Sequence, residues 1–113
     1  MDATIYHNPR CSKSRQALAR LQDAGATVTV VTYLDQVPSK AELTKLIDDA
    51  GLTVRGAVRT REPEYKQLGL ADATDEQLLD AMLAHPKLIE RPFVVTEKGT
   101  RMARPTEAID EIL

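Results

Sequence analysis

The order of apolar and polar positions along the chain divides it into elements. Thr4 to His7 is a short, largely apolar stretch that predicts a strand, and Asn8-Pro9 ends it. Beyond Cys11, the apolar residues Ala17, Leu18, Leu21 and Ala24 recur at helical intervals and Gly25 supplies a C-cap, so the spacing predicts an amphipathic helix. Ala26 to Leu34 is β-branched almost throughout and reads as a second strand. With the helix between them, the two strands form a βαβ unit and run parallel. Cys11 therefore falls at a strand-to-helix junction.

The middle of the chain is helical. Ser39-Lys40-Ala41-Glu42 has the spacing of a capping box and precedes Leu43, Leu46, Ile47 and Ala50 before Gly51. Thr74-Asp75-Glu76-Gln77 repeats that spacing ahead of Leu78, Leu79 and Met82, with Pro86 ending the helix and His85 placed as its C-terminal cap. After Arg91-Pro92, Phe93 to Thr96 predicts a strand, Lys98-Gly99 a turn, and the residues around Arg101 to Ala103 the partner strand of a hairpin. Pro105 suits the first turn of a last helix with Ala108, Ile109 and Ile112 on one face. The order is βαβ, a helical insertion over about residues 39–86, then ββα. That order predicts an α/β fold with a mixed four-stranded sheet flanked by helices, the skeleton of the thioredoxin fold. At 113 residues the chain is expected to form one domain over 1–113, because either half alone is too small to bury an adequate core.

Charge and cysteine content narrow the function classes. With 15 Lys and Arg against 17 Asp and Glu, a wholesale electrostatic grip on nucleic acid or anionic lipid is not expected, so any anion site must be local. Nine of the 15 basic residues are Arg, the side chain suited to bidentate recognition of oxyanions. No segment approaches the roughly 20 apolar residues of a membrane span, and the amino terminus has no basic region followed by an apolar one. One cysteine closes no disulfide within the chain, and with only two His a protein-encoded metal site is not expected. These features predict a cytoplasmic protein with no bound cofactor.

A lone cysteine is most often a small buried hydrophobe. At the start of a helix, however, it meets unpaired amides and the positive end of the macrodipole, which favour thiolate. Lowering a thiol pKa from ~8.5 to ~6.5 takes about 2.7 kcal/mol, whereas a helix terminus supplies at best ~2, so further cations must contribute. Arg10, Lys13 and Arg15 are near in sequence, and His7 is a further donor or positive charge at the strand end. A reactive thiolate among arginines suggests thiol exchange or attack on an oxyanion. A phosphatase-type loop places an Arg where this chain has Ala17, and a two-cysteine redox motif needs a thiol where it has Ser14. An oxidised or adducted Cys11 must then be resolved by an external thiol.

The string Tyr6-His7-Asn8-Pro9-Arg10-Cys11-Ser12-Lys13-Ser14-Arg15 closely resembles the active-site segment of the glutaredoxin-coupled arsenate reductases. Leu52-Thr53-Val54-Arg55 with Arg59, Tyr65 to Leu70, Glu90 to Val95, and Gly99-Thr100-Arg101 with Arg104-Pro105 follow the same family pattern in order, so the resemblance covers nearly the whole chain. It implies a thioredoxin-like fold in which Cys11 attacks arsenate to form a thiol-linked arsenic adduct, with glutathione as co-substrate and glutaredoxin as partner completing reduction to arsenite. Carried over by position, Arg59, Arg91 and Arg104 bind the oxyanion, His7 keeps Cys11 reactive, and Ser14 and Arg15 support the site. The resemblance also implies a cis bond at Arg91-Pro92. Several guanidiniums are what a dianionic oxyanion beside a thiolate requires on charge grounds. Ser12-Lys13 departs from the small neutral residues usual after the cysteine, which bears on substrate preference. Arg55, Arg61 and Arg101 read as structural or rim residues.

Two other readings share the fold. Redox-linked transcription regulators that contact RNA polymerase usually sense through a pair of cysteines, which Ser14 breaks. A glutathione-dependent thiol reductase would use Cys11 but leave the three arginines surplus.

Overall fold

The computed structural model describes residues 1–90 and 92–113. They fall into two compact units: residues 1–36 with 92–113, and Val37–Glu90.

The first unit carries β1 (Asp2–Tyr6), α1 (Ser12–Asp23), β2 (Thr27–Val31), β3 (Phe93–Thr96), β4 (Gly99–Met102) and a 3-10 helix, Thr106–Ile112. Its strands, among the described residues, form a four-stranded mixed sheet in the order β2-β1-β3-β4. β1 runs parallel to β2, with Ile5 opposite Val30, and antiparallel to β3, with Ile5 opposite Val94. The βαβ opening dictates the parallel pair, since two parallel strands need a crossover and α1 is that crossover. Period-two alternation sends Ala3, Ile5 and Val94 to one face, where they pack with Ala17 and Leu21 of α1 and with Ile109 and Ile112.

Local chemistry explains how these elements end. After α1, the amides of Gly25 and Ala26 bond back to the carbonyls of Gln22 and Leu21, a Schellman turn that requires the left-handed backbone of Gly25 (φ 79°). Four expectations shift. β2 is Thr27–Val31 rather than Ala26 to Leu34, because the chain turns after Val31, with the Asp35 amide bonding the Thr32 carbonyl at 2.9 Å. β1 begins at Asp2, and His7 lies beyond it, although the His7 amide still bonds the Val31 carbonyl at 2.8 Å. The hairpin turn is Glu97-Lys98, with Gly99 paired to Thr96 as the first residue of β4. The last helix is 3-10, with Pro105 as its N-cap. Its buried residues Thr106, Ile109 and Ile112 are spaced strictly by three, so they line one face at three residues per turn. The Thr96 hydroxyl donates to the Ile112 carbonyl at 2.7 Å and accepts from the Lys98 amide at 3.1 Å, tying this helix to the hairpin.

The second unit is helical, with α2 (Lys40–Asp49), α3 (Pro63–Gln67) and α4 (Asp75–Ala84) joined by 3-10 turns. Thr74 and Gln77 form a reciprocal capping box (3.2 and 2.9 Å), whereas Ser39 caps α2 by accepting from the Glu42 amide at 3.1 Å. His85 is the C-cap of α4. Leu43, Leu46 and Ile47 of α2 and Leu78, Leu79 and Met82 of α4 are buried, and Lys40 bridges the helices to Glu76 and Asp80. Among the described residues no helix is long and apolar enough to cross a membrane.

Candidate active site

The site is organised by the turn between β1 and α1. Pro9 follows Asn8, whose side-chain oxygen accepts from the Arg10 amide at 3.0 Å, an Asx turn. The Asn8 carbonyl accepts from the Cys11 amide at 3.0 Å, and the Asn8 amide donates to Ser14 Oγ at 3.0 Å. Asn8 thus sets the shape of the cysteine loop, a role the sequence reading missed; the Asn-Pro pair was read only as a strand terminator. Cys11 is the N-cap of α1, in extended conformation (φ −93°, ψ 122°), one position before the first helical turn. Its carbonyl accepts from the Arg15 amide at 3.0 Å, while its side chain makes no capping hydrogen bond to the helix.

Cys11 thus lies at the start of α1, as its spacing predicts, with no side-chain capping bond to the helix amides. A guanidinium reaches the sulfur: Arg104 Nη2 stands 3.8 Å from Cys11 Sγ. Arg104, 93 residues away in sequence, is brought back toward the thiol by β4, which runs antiparallel beside β3.

His7 and Ser14 form the floor. Ser14 is fully buried, His7 is 6% exposed, and Nδ1 lies 2.6 Å from Ser14 Oγ. Burial, reinforced by the nearby Arg15 charge, holds the His7 pKa below its ordinary 6.5. That lowering favours the neutral ring, so of the two expected contributions, donor or positive charge, it favours the donor. The His7 ring meets the Ser14 hydroxyl, which in turn accepts from the Asn8 amide of the loop. Arg15 is exposed and donates to the Pro9 carbonyl at 2.8 Å, closing the loop from outside.

Of the three arginines carried over from the resemblance, Arg104 lies beside the thiol. Arg91 lies outside the described residues, as does the expected cis bond at Arg91-Pro92. Arg59 belongs to the second unit, where its side chain is 17% exposed. Nε lies 3.3 Å from Glu62 and Nη1 3.7 Å from Glu90. Among the described residues these two nitrogens are buried and within ion-pair range but make no hydrogen bond, so their donor capacity is unspent. The sequence reading did not identify these two carboxylates; the i,i+3 spacing of Arg59 and Glu62 was the available signal. Arg55 is structural, donating to the carbonyls of Leu70 (3.2 Å) and Ala73 (2.7 Å), and Arg101 pairs with Glu111 at 3.0 Å. Among the described residues no group of three His, Cys, Asp or Glu side chains is placed to hold a metal.

Comparison with known proteins extends this geometry. The ArsC family matches the chain over residues 6–112. An arsenate reductase of Rhizobium meliloti (strain 1021) is 54% identical over 115 residues, covering 100% of this chain and 82% of the relative. One from Escherichia coli is 50% identical over 112 residues, covering 97% and 79%. The solved arsenate reductase of Vibrio cholerae superposes with a TM-score of 0.95 at 47% identity, covering 100% of this chain and 98% of that one. A match that runs from the end of β1 to the last helix and takes in the cysteine loop, at about half identity throughout, makes this chain a member of the ArsC family.

Proposed function

We propose that this chain reduces arsenate to arsenite, with Cys11 as nucleophile, Arg59, Arg91 and Arg104 as the oxyanion-binding residues, and glutathione and glutaredoxin as the reductants. The observation that carries this reading is the Arg104 guanidinium 3.8 Å from the Cys11 sulfur, in a chain whose relatives are named arsenate reductases. A guanidinium there favours the thiolate and can neutralise an oxyanion arriving beside it, two charges that would otherwise repel. The thiolate sulfur bonds to arsenic and one arsenate oxygen leaves as water, giving a Cys11-linked arsenic(V) adduct. Arsenic then gains two electrons, and two thiols lose them by joining as one disulfide. Since position 14 is a serine locked to His7, the second thiol comes from glutathione, and glutaredoxin clears the resulting disulfide. The unspent donors of Arg59 fit an oxyanion ligand. His7, Ser14 and Arg15 act through the loop rather than on the substrate. The reaction needs no resident cofactor and runs in the reducing cytoplasm.

The test is arsenate-dependent NADPH oxidation with glutathione, glutathione reductase and a glutaredoxin, comparing wild type with Cys11→Ser and Arg91→Ala. We expect a rate that saturates with arsenate, vanishes in Cys11→Ser and falls at least tenfold in Arg91→Ala, as for loss of one charge-stabilising donor, roughly 10²-fold. A Cys11→Ser protein that still reduces arsenate ends the proposal. Wild type inactive on arsenate but active on a glutathionylated peptide would select the thiol-reductase alternative.

A further inference from the structure

Arg59, Glu62 and Glu90 form one group inside the second unit, and the backbone builds it. Val58 and Ile89 make an antiparallel bridge, with the Arg59 amide donating to the Leu88 carbonyl at 2.7 Å and the Glu90 amide to the Ala57 carbonyl at 2.8 Å. The bridge brings Arg59 and Glu90 together from distant parts of the sequence. Glu62 comes from the turn that follows Arg59, where its amide donates to the Arg59 carbonyl at 3.3 Å and it serves as N-cap of α3. An N-cap side chain is placed to accept from the first helix amides. Glu62 makes no such bond and lies against the guanidinium instead. Both carboxylates are about as sheltered as Arg59, at 22% and 18% exposed.

Charge and hydrogen bonding are both unbalanced here. One cation faces two carboxylates, a formal excess of negative charge around an arginine. Of the charged residues next in sequence, Arg61 is exposed and Glu64 half-buried, and neither forms an ion pair among the described residues. Glu64 adds a buried carboxylate oxygen that accepts no hydrogen bond. Nε and Nη1 of Arg59 donate to neither Glu62 nor Glu90, so donors stand beside acceptors without being joined to them. A ligand on this guanidinium meets both kinds of group. Its bare oxygens can accept from Arg59 and an O–H can donate to a carboxylate, whereas an anion without a proton is repelled by that carboxylate. Arsenate and phosphate keep one proton at neutral pH and sulfate keeps none, although all three are tetrahedral.

We propose that Glu62 and Glu90 restrict Arg59 to oxyanions that carry a proton, the anion's O–H donating to the Glu62 carboxylate and its other oxygens accepting from Arg59. Glu90, the more distant of the two carboxylates, adds charge against a fully deprotonated anion. The proposal rests on the reading of Arg59 as an oxyanion-binding residue above and adds what that residue selects.

The side-chain Nε–H resonance of Arg59, assigned by its loss in Arg59→Lys, reports binding at this group without turnover of arsenate. Phosphate and sulfate are each titrated into the isotope-labelled full chain, and the concentrations that give half of the shift are compared. We expect phosphate to act at least about tenfold below sulfate in wild type, the penalty for an anion that leaves a facing carboxylate unpaired. The ratio should fall toward one in Glu62→Gln, whose amide can donate to sulfate, and fall less in Glu90→Gln. Backbone amide spectra of the same samples establish that each variant is folded. A resonance moved equally by both anions in wild type overturns the selectivity and leaves Arg59 an oxyanion residue, as does a ratio unmoved in both variants. A resonance moved by neither anion overturns the selectivity together with that reading of Arg59. The expected ratios in a chain inactive on arsenate keep the proposal and remove arsenate as the substrate.

Discussion

Arg104 is half-buried and ends beside Cys11, so its charge bears on the ionisation of a thiol that no helix amide caps. Removing it should raise the pH midpoint of Cys11 alkylation, since an opposite charge at this range favours the thiolate. The alkylation rate with iodoacetamide, measured against pH in wild type and Arg104→Ala, checks this. An unmoved midpoint would mean that Arg104 acts on the substrate alone. His7 gives a pH dependence of the opposite origin. Its folded pKa is depressed below 6.5, so as pH falls through 6.5 the unfolded chain takes up a proton that the folded chain refuses. Stability contributed by neutral His7 is complete above 6.5 and is lost progressively below it. Urea midpoints should therefore drop between neutral and mildly acidic pH in wild type, and the His7→Gln variant should show a shallower drop.

At the scale of elements, the start and stop of α1 decide where the chemistry sits. Its N-cap is Cys11, and its middle turns are anchored by buried Ala17 and Leu21, so the loop and the helix face are set by one stretch of chain. Its far end depends on Gly25, whose φ of 79° suits a residue without a Cβ. No atom lies within 4 Å of a Cβ built there, so Gly25→Ala is penalised by backbone strain alone. We expect a loss of about 1–2 kcal/mol in equilibrium unfolding with the thiol chemistry intact. A loss well above that would show that α1 shifts rather than merely straining at its end.

At the scale of the molecule, the core of the first unit gathers residues from both ends of the chain, Ala3 and Ile5 from β1 against Ile109 and Ile112 from the last helix. Ile109→Ala empties a fully buried position and should cost about 2–5 kcal/mol in urea unfolding, more than any surface change discussed above. The elements that make this core were readable from spacing: β3 was predicted with its observed ends, α1 from its apolar stripe, and both N-caps of α2 and α4 from Ser39 and Thr74. Each depends on side chains within four or five positions of one another, whose propensities and caps act before any distant partner is met. The last helix was legible as helix but not as 3-10, because its short apolar stripe does not distinguish i→i+3 from i→i+4 bonding.

The sequence by itself determined the element order, the caps, and the position of the cysteine at the turn into α1, all consequences of local spacing. Only the tertiary structure decided that β1 would lie inside the sheet with partners on both sides, that burial would leave His7 neutral against Ser14, that Arg59 would settle between Glu62 and Glu90, and that Arg104 would meet a sulfur 93 residues away. Desolvation and long-range pairing have no local signature in a sequence. They come into being when distant segments close on one another and exclude water.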